Sequence, residues 1–460
     1  MFEQNIYFLG IGGIGMSALA RYFHNNGIRV AGYDRTRSAI TDALQQDGIS
    51  IVYDDNISED YLLQLQDRFP VESTLVVRTP AVPDDQSIYT YFREHDYRVR
   101  KRAEVLGLVT QHKRALCVAG THGKTTTSTI LAHILYGSHL GCNAFLGGIS
   151  CNYLSNLLIR PDSDLAVIEA DEFDRSFWHL TPAMTVITAI DPDHLDIYGT
   201  PEAYQEGFDV YANKVQEAIV LKKGYHLHHP SAKVYTYSAS EQADFYADNI
   251  LVEDGHLYFD LHLPDGATPL SKLELGVPVW VNIENSVAAA ALAWLNGAGE
   301  KEIRHGLATY AGVQRRFNIH VNNPQVAYVD DYAHHPTELK NSIESVRKLF
   351  PHRYVIGVFQ PHLFTRTRDF ADEFAAVLST VDELVLLPIY PAREQPIQGV
   401  SSQMLLSRTT CPNKHLVQKN DLVALIHDLV ANHPSSVVLS LGAGDIDRLV
   451  PTIKQNLLQR

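Results

Sequence analysis

A strand, a glycine turn and a helix start follow one another at residues 116–131, and this stretch limits what the chain can fold into. The sequence LCVAGTHGKTTTSTIL begins with a short apolar run that predicts a buried strand, and Gly120 and Gly123 supply the turn. Lys124 then opens a helix whose first turn carries hydroxyl groups. Backbone N–H groups at such a helix start bind anions, and the helix dipole favours negative charge there. The stretch therefore predicts a phosphate-binding loop in which Lys124 reaches the β- and γ-phosphates and Thr125 faces a magnesium ion.

The loop differs from the common G-x-x-x-x-G-K-[ST] pattern at its first position. That pattern places a glycine at position 118, where this chain has Val118, so the loop is a shorter G-x-x-G-K-T form. The alternative is an ordinary strand-to-helix turn with a solvent-facing lysine. We favour the phosphate loop because the strand, the turn, the lysine and the hydroxyl cluster occur together in the right order.

Composition limits the class of protein and its partners. A length of 460 residues suggests about three domains, and 45% hydrophobic with 20% charged residues is typical of globular chains. The net charge of −15 disfavours nucleic acid and acidic membranes as partners, so an anionic substrate needs local positive groups. The 4 cysteines lack zinc-site spacing, and we find no signal peptide and no apolar run of membrane-spanning length. These features favour a cytoplasmic protein without a membrane partner.

A second glycine loop lies near the N-terminus. The apolar run at 6–9 predicts a strand, the sequence GIGGIG at 10–15 follows it, and a helix and a second strand at 28–32 lead to Asp34. An acid at this position commonly holds a ribose hydroxyl in dinucleotide-binding folds. A third strand ends at a proline-rich loop that contains Thr79. The pattern predicts a βαβ unit that binds a diphosphate, and NAD, FAD and other diphosphate nucleotides all fit it.

Acidic residues and a histidine follow two strands of the middle segment. Glu169 ends one predicted strand, and His194 follows another within the sequence DPDHLD. Acids at a strand tip beside a phosphate loop usually serve the magnesium ion of a bound nucleotide. We interpret the basic run at 98–102 as the link between two domains, and we interpret Asn285 as one of the caps of an alanine-rich helix at 287–295.

The last segment alternates strands and helices again and predicts a third α/β unit. Asp331 and His335 follow one predicted strand, and Pro336 fits the first turn of the next helix. Arg366 and Arg368 follow another strand, where a carboxylate or a phosphate would bind.

These pieces together resemble the Mur ligase family of ATP-dependent amide-forming ligases. The motifs run through the whole chain and are GIGGIGMS at 10–17, GTHGKTTTS at 120–128, EADEFDRSF at 169–177, DHLD at 193–196, RRF at 315–317, DDYAHHPTE at 330–338 and FQPHLFTRTRDF at 359–370. The resemblance implies an α/β fold with a Rossmann-like domain for a UDP-sugar at 1–100, a central P-loop ATPase domain at 101–313 and a Rossmann-like domain at 314–460.

The resemblance also implies an activity in peptidoglycan precursor synthesis. The motifs are most similar to those of the member that joins L-alanine to the lactyl carboxylate of UDP-N-acetylmuramate through an acyl phosphate, with release of ADP and phosphate. ATP is then a co-substrate, and two Mg²⁺ ions are expected.

The same resemblance assigns roles to individual residues. The UDP-sugar would be bound by Gly12, Gly13, Ile14, Gly15, Asp34 and Thr79. ATP would be bound by Gly120, Thr121, His122, Gly123, Lys124, Thr125, Thr126, Asn285, Arg316 and Asp331. The metal ligands would be Thr125, Glu169 and His194, and the catalytic residues would be Lys124, His122, His335, Arg366 and Arg368.

Three departures from the family pattern stand out. A histidine that often precedes the alanine-rich helix is replaced by Val281, and an arginine of the motif around the amino acid is replaced by Leu363. No lysine occurs between His194 and Asn213, where some members carry a carbamylated lysine, and this absence suits the member that adds alanine.

Three alternatives stay open from the sequence. A recycling ligase that adds a peptide to the same UDP-sugar is the nearest rival within the family. A nicotinamide-dependent oxidoreductase would explain GIGGIG and Asp34 but leaves the phosphate loop unexplained. A non-enzymatic ATP switch would bind nucleotide without forming an amide.

Overall fold

The computed structural model describes residues 3–54, 58–253, 256–392 and 394–459. Within these residues the chain forms three mainly parallel sheets with helices packed on them, which confirms the predicted α/β fold. The chain divides into two compact units, Met1–Val277 with Asn282–Ala311 and Pro278–Val281 with Gly312–Arg460. The first unit holds two of the sheets, and the second unit holds the third. The domain boundaries expected after residues 100 and 313 stay predictions.

The first sheet is built from short parallel strands near the N-terminus. Its strands are β1 (Asn5–Leu9), β2 (Arg29–Tyr33), β3 (Ser50–Val52), β4 (Thr74–Arg78) and β5 (Arg98–Lys101). Its helices are α1 (Ile14–Asn25), α2 (Ala39–Gln46), α3 (Glu59–Arg68) and α4 (Ser87–Glu94), with a 3₁₀ turn at Val71–Ser73. The strand order is β3-β2-β1-β4-β5, and β1 is buried along its whole length because helices cover both faces of a parallel sheet.

The second sheet carries the phosphate loop. Its strands are β6 (Arg114–Ala119), β7 (Asn143–Ser150), β8 (Ser155–Leu158), β9 (Leu165–Glu169), β10 (Met184–Ile187), β11 (Ala218–Lys222), β12 (Lys233–Ser238), β13 (Phe245–Glu253), β14 (His256–His262) and β15 (Leu270–Leu275). Its helices are α5 (Arg102–His112), α6 (Lys124–Tyr136), α7 (Leu195–Tyr198), α8 (Pro201–Ala212), α9 (Trp280–Leu295) and α10 (Glu300–Thr309), with a 3₁₀ segment at Phe173–His179.

The strand order of the second sheet brings its polar loops to one edge. The order is β15-β14-β13-β12-β11-β10-β6-β9-β7-β8, so β6 lies between β9 and β10 and is parallel to both. The loops that follow these three strands therefore lie side by side at the carboxyl edge, where open α/β sheets bind ligands. The strands β13, β14 and β15 pair antiparallel and extend the same sheet at its other side.

The third sheet forms the second unit. Its strands are β16 (Asn318–Asn322), β17 (Val326–Asp331), β18 (Tyr354–Phe359), β19 (Glu383–Leu386), β20 (Asn413–Leu416) and β21 (Ser436–Leu441), in the order β16-β17-β21-β18-β19-β20. Its helices are α11 (Pro336–Leu349), α12 (Phe364–Asp369), α13 (Ala371–Leu378), α14 (Ser402–Arg408), α15 (Lys419–Asn432) and α16 (Val450–Leu458), with a 3₁₀ turn at Asp445–Leu449. All neighbouring strands except β16 and β17 pair in parallel.

One continuous apolar core joins the first sheet to the second. Buried side chains of α1 pack against β7 and β8, and the rings of Tyr22 and Phe145 lie edge to face at 5.1 Å. The side-chain amide of Asn156 donates a hydrogen bond of 2.5 Å to the carbonyl of Ile14 at the start of α1. This shared core explains why both sheets belong to one compact unit.

Two interpretations of the sequence change with the structure. The basic run at 98–102 leads from the first sheet to the second, as expected of a link, but it is regular structure, because it forms the edge strand β5 and the first residue of α5. The alanine-rich helix α9 begins at Trp280, so Asn285 lies inside the helix and does not cap it. In the part of the chain that the structure describes, no helix is long and apolar enough to cross a membrane.

Candidate active site

Two glycines shape the phosphate loop between β6 and α6. Gly123 has φ of +81° at the residue that precedes α6, and Gly120 has φ of +128°. Side chains rarely adopt these left-handed angles, and a Cβ on Gly120 would lie 2.2 Å from Thr188 Oγ1. The loop therefore closes tightly against β10 and directs the first turn of α6 toward the carboxyl edge of the sheet.

Lys124 is folded back over this loop. Its Nζ donates to the carbonyl of Gly120 at 2.6 Å and to Glu172 Oε1 at 2.9 Å. Burial raises the pKa of Glu172 to about 7, although the charge of Lys124 opposes the shift. Burial alone would lower the pKa of Lys124, but the charges of Glu172, Asp171 and Glu169 outweigh it and raise that pKa. The structure thus holds a charged lysine between the glycine loop and Glu172.

Glu169 and Thr125 form the oxygen cluster beside the loop. Thr125 Oγ1 donates to Glu169 Oε1 at 3.0 Å, and the backbone N–H of Gly147 donates to Glu169 Oε2 at 3.1 Å. A Cβ on Gly147 would lie 2.2 Å from Glu169 Oε2, so glycine at this position lets the carboxylate keep its place. Hydroxyl and carboxylate oxygens are the ligands that Mg²⁺ prefers, so these residues fit that ion.

The two histidines near the loop sit against different acids. His122 Nε2 lies 3.9 Å from Asp191 Oδ2, whereas His194 Nε2 lies 3.8 Å from Asp193 Oδ2 and 4.0 Å from Glu172 Oε1. His194 has φ of +53°, which is uncommon for a residue other than glycine and is found often at functional sites. Within the described residues, no group of three or more His, Cys, Asp and Glu side chains could hold a metal ion. The metal role of His194 stays a prediction.

Three other residues predicted to bind the nucleotide lie at or beside the same loop. Thr121 Oγ1 donates to the carbonyl of Asp191 at 2.8 Å, and Thr126 lies in the first turn of α6. Asn285 Oδ1 accepts a hydrogen bond of 3.2 Å from Thr127 Oγ1 and would lie 2.9 Å from a Cβ on Gly123. Asn285 is therefore buried against the phosphate loop, and its contact with adenine stays a prediction.

The glycine loop of the first sheet brings the predicted UDP-sugar residues together. The N–H of Gly12 donates to Asp34 Oδ2 at 2.7 Å, and a Cβ on Gly12 would lie 2.8 Å from the same oxygen. A Cβ on Gly10 would lie 2.5 Å from Thr79 Cγ2, so the loop after β4 packs directly on the glycine loop. The side chain of Asp34 thus accepts a hydrogen bond from the backbone of the glycine loop. Its predicted role toward ribose does not require this contact.

A cavity of about 280 Å³ connects this glycine loop to the carboxylates of the second sheet. Its lining residues come from both sheets of the first unit and are Gly13, Ile14, Gly15, Met16, Ala18, Thr79, Arg102, Leu106, Phe145, Leu146, Gly147, Glu169 and Asp171. An elongated ligand in this cavity would extend from the start of α1 to Glu169, next to the phosphate loop.

Predicted residues of the second unit follow β17 and β18. The carboxylate of Asp331 accepts hydrogen bonds from Ser342 Oγ and from the N–H of Phe317, and burial raises the pKa of Asp331. The guanidinium of Arg316 stacks over the ring of Tyr332 at 5.0 Å. The ring of His335 lies edge to face with that of Phe370 at 4.8 Å.

The two arginines of α12 differ in their surroundings. Burial lowers the pKa of His334 and of His362, and the charge of Arg366 adds to the lowering of both pKa values. Arg368 is about half exposed and pairs with the adjacent Asp369 at 2.7 Å. Arg366 thus acts electrostatically on His334 and His362, whereas Arg368 contacts its neighbour in sequence.

The sequence does not predict the contacts of three residues of the site. Glu172 lies within the acidic motif at 169–172, but the sequence does not show that it pairs with Lys124. Gly147 is a single glycine inside a strand, a pattern that signals a close approach of two groups without naming the partner. Arg102 belongs to the basic run at 98–102, and that pattern does not predict that its side chain lines the cavity.

The fold and the two glycine loops define a nucleotide-binding α/β protein, and comparison with known proteins makes the class specific. Residues 5–114 match the catalytic domain of the Mur ligase family, residues 118–293 match the Mur ligase middle domain, and residues 315–444 match the glutamate ligase domain of Mur ligases. The chain belongs to the Mur ligase family.

Individual relatives and solved structures agree with this assignment. The chain is 54% identical over 460 residues to the UDP-N-acetylmuramate–L-alanine ligase of Parabacteroides distasonis, with 99% of this chain and 97% of that protein covered. The crystal structure of the UDP-N-acetylmuramate-alanine ligase of Thermotoga maritima matches with a TM-score of 0.81 and 25% identity over 99% of both chains. A murein peptide ligase of Psychrobacter arcticus shares the fold with a TM-score of 0.70 and 21% identity over 98% of both chains.

Proposed function

We propose that this chain joins L-alanine to the lactyl carboxylate of UDP-N-acetylmuramate, with hydrolysis of ATP to ADP and phosphate. Membership of the Mur ligase family and the 54% identity to a UDP-N-acetylmuramate–L-alanine ligase support this reaction. The observation that carries the proposal is the cavity that runs from Gly13–Gly15 to Glu169, because it connects a diphosphate loop to the oxygen cluster beside Lys124.

The first step activates the carboxylate. A carboxylate does not react with an amine at neutral pH, because its leaving group is poor. The lactyl carboxylate therefore attacks the γ-phosphorus of ATP in line, and ADP leaves. Lys124 moves from Glu172 to the phosphates and offsets the repulsion between the two anions. Thr125 and Glu169 would hold one Mg²⁺ and Glu169 with His194 a second, and these ions would add positive charge at the phosphate oxygens. The product of this step is an acyl phosphate.

The second step forms the amide. The amine of L-alanine attacks the acyl carbon, and the tetrahedral adduct collapses with loss of phosphate. A base must take the amine proton, and His335 is our candidate because imidazole titrates near working pH. Arg366 and Arg368 bind the alanine, and His122 lies beside the muramyl carboxylate. Since an acyl phosphate hydrolyses easily, water must be excluded while it exists.

The remaining residues of the proposal bind the two nucleotides. Gly12, Gly13, Ile14 and Gly15 hold the UDP diphosphate, with Asp34 and Thr79 near the nucleoside. The residues at 120–126 hold the ATP phosphates, Asn285 faces the adenine, and Arg316 and Asp331 serve the ATP phosphates and ribose.

The rival reaction is addition of a peptide to the same UDP-sugar. The fold alone does not separate the two reactions, because the murein peptide ligase shares it. The identity of 54% over the whole chain favours L-alanine. Membership of a ligase family also argues against a nicotinamide-dependent oxidoreductase.

A release assay tests the proposal on the purified full chain. We expect ADP and phosphate to form only when ATP, UDP-N-acetylmuramate and L-alanine are all present, and the amide product to appear in equal amount. A tripeptide in place of L-alanine should give little product, and Lys124→Ala should abolish release. Product with the tripeptide but not with L-alanine would identify the recycling reaction, and nucleotide binding without any amide would identify an ATP switch.

A further inference from the structure

The guanidinium of Arg102 packs against Gly15, in the glycine loop of the first sheet. A Cβ on Gly15 would come within 2.5 Å of Arg102 Nη1 and within 3.3 Å of its Cζ. Gly15 lies inside α1, so its backbone conformation does not require glycine. The space that a side chain would fill at position 15 is occupied by the guanidinium. The small residue and the arginine are therefore matched to each other at the start of α1.

The charges around the cavity make this arginine unusual. Of the described residues that line the cavity, Arg102 is the one with a cationic side chain, whereas Glu169 and Asp171 are acids. The proposed substrate brings a diphosphate and a carboxylate, and the chain as a whole has a net charge of −15. A polyanion that enters this cavity therefore needs a counter-charge from the chain, and Arg102 is placed to supply it.

The contact of Arg102 with the protein leaves donors for a ligand. Its Nη2 lies 3.5 Å from Asp171 Oδ2, which is at the outer limit of a hydrogen bond. A guanidinium carries five N–H donors in a planar fork that fits phosphate oxygens in pairs. Asp171 therefore contacts the side chain only weakly and leaves most of its donors, and the edge toward Gly15 faces the loop where the diphosphate is expected.

We propose that Arg102 binds the diphosphate of the UDP-sugar. This inference rests on the proposed function for the identity of the ligand. In this proposal the diphosphate is bound by a side chain of α5 as well as by the backbone of the glycine loop. Arginine matters here beyond its charge, because a lysine offers a point charge and cannot pair with two phosphate oxygens in the same way.

The experiment measures binding of two UDP-sugars to the full chain by calorimetry. UDP-N-acetylglucosamine carries the diphosphate without the lactyl carboxylate, and UDP-N-acetylmuramate carries both. We expect Arg102→Gln to weaken both ligands by the same factor, roughly 10- to 100-fold, which is the range for a charge-assisted hydrogen bond. Arg102→Lys should recover part of this loss. The affinity for a non-hydrolysable ATP analogue and the KM for L-alanine should not change.

The neighbouring lysine provides a matched control. Lys101 is 61% exposed and pairs with Asp174 at 3.1 Å, so Lys101→Gln removes one positive charge next to Arg102 without touching the cavity lining. We expect Lys101→Gln to bind both UDP-sugars as the wild type does. Equal weakening by Lys101→Gln would mean that only the overall charge matters, and the inference would be wrong.

Other outcomes would also overturn the assignment. Loss of affinity for UDP-N-acetylmuramate alone would assign Arg102 to the carboxylate. Loss of affinity for the ATP analogue together with a lower melting temperature, in both Arg102→Gln and Arg102→Lys, would mean a structural role. Unchanged binding in Arg102→Gln contradicts this inference alone, whereas a wild-type chain that binds neither UDP-sugar contradicts the proposed function itself.

Discussion

The ion pair of Lys124 and Glu172 predicts an unusual dependence of stability on pH. Glu172 is 2% exposed and Lys124 is 14% exposed, with 2.8 Å between Nζ and Oε2. Lys124→Met keeps the apolar stem and removes the charge, so Glu172 remains buried with no counter-charge from position 124. Removing one partner of a buried pair costs about 3–5 kcal/mol if the other group stays charged. Glu172 can avoid part of this cost by taking up a proton.

The magnitude follows from the pKa of Glu172, which burial raises from 4.5 to about 7 in the presence of Lys124. In the wild type the native state holds a proton that the unfolded state releases between pH 4.5 and 7, so stability falls as pH rises through that window and then levels off. Without Lys124 the pKa of Glu172 rises further, and the fall continues above pH 7. The variant should therefore lose about 1.4 kcal/mol relative to the wild type for each pH unit above 7, until the limit of about 3–5 kcal/mol is reached.

Thermal unfolding of wild type, Lys124→Met and the double variant Lys124→Met/Glu172→Gln between pH 6.5 and 9 measures this effect. We expect the melting temperature of the single variant to fall below that of the wild type by roughly 1–2 °C per kcal/mol as pH rises, because a unit of this size has a large entropy of unfolding. The double variant should regain most of the stability, because a neutral amide needs no counter-charge, yet it should stay inactive. Parallel curves for the wild type and the single variant, or a double variant no more stable than the single one at pH 9, would refute the reasoning.

Three further predictions follow from other contacts. Gly147→Ala should lower kcat by on the order of 100-fold and leave the melting temperature nearly unchanged, since its Cβ would displace Glu169 Oε2; normal kcat would contradict this. Asp330→Asn should raise the free energy of unfolding by up to about 3 kcal/mol at pH 7.5 and little at pH 4. Burial raises the pKa of Asp330 from 3.8 to about 6, so the wild type loses stability as pH rises through that window. Thiol reagents should modify half-buried Cys151 before the buried Cys117, whose pKa burial raises to about 12; mass spectrometry of the labelled peptides shows the order.

The sequence predicts the local parts of the site well. The strand, turn and helix at 116–131 are adjacent in the chain, so their order alone predicts the loop that the structure shows at β6 and α6. Glu169 was found in the same way, because acids that follow parallel strands meet at one edge. Each of these predictions needs only neighbouring residues and the rule that parallel strands share an edge.

The contacts that the sequence does not show join residues far apart in the chain. The basic residues at 98–102 have no apolar alternation of the kind that marks a strand, and β5 forms there because it pairs with β4 at the sheet edge. The sequence also predicts too late a start for α9. The helix begins at Trp280, and no typical capping residue directly before it marks this start. The pairs of Lys124 with Glu172 and of Arg102 with Gly15 depend on how two elements pack, and no local pattern encodes that.

Three glycines of the first unit share a property with consequences for the evolution of the family. Gly12, Gly15 and Gly147 each lie against a charged side chain, namely that of Asp34, Arg102 and Glu169 in turn. None of the three has a positive φ, so the conformation of the chain would tolerate other residues there. A Cβ at any of them would collide with the charged group, and at position 12 also with Thr41 Cγ2 at 2.7 Å. In homologous sequences, a larger residue at one of these positions should therefore be accompanied by a shorter, uncharged or displaced side chain at its partner, and such paired replacements would reveal relatives that hold their substrate differently.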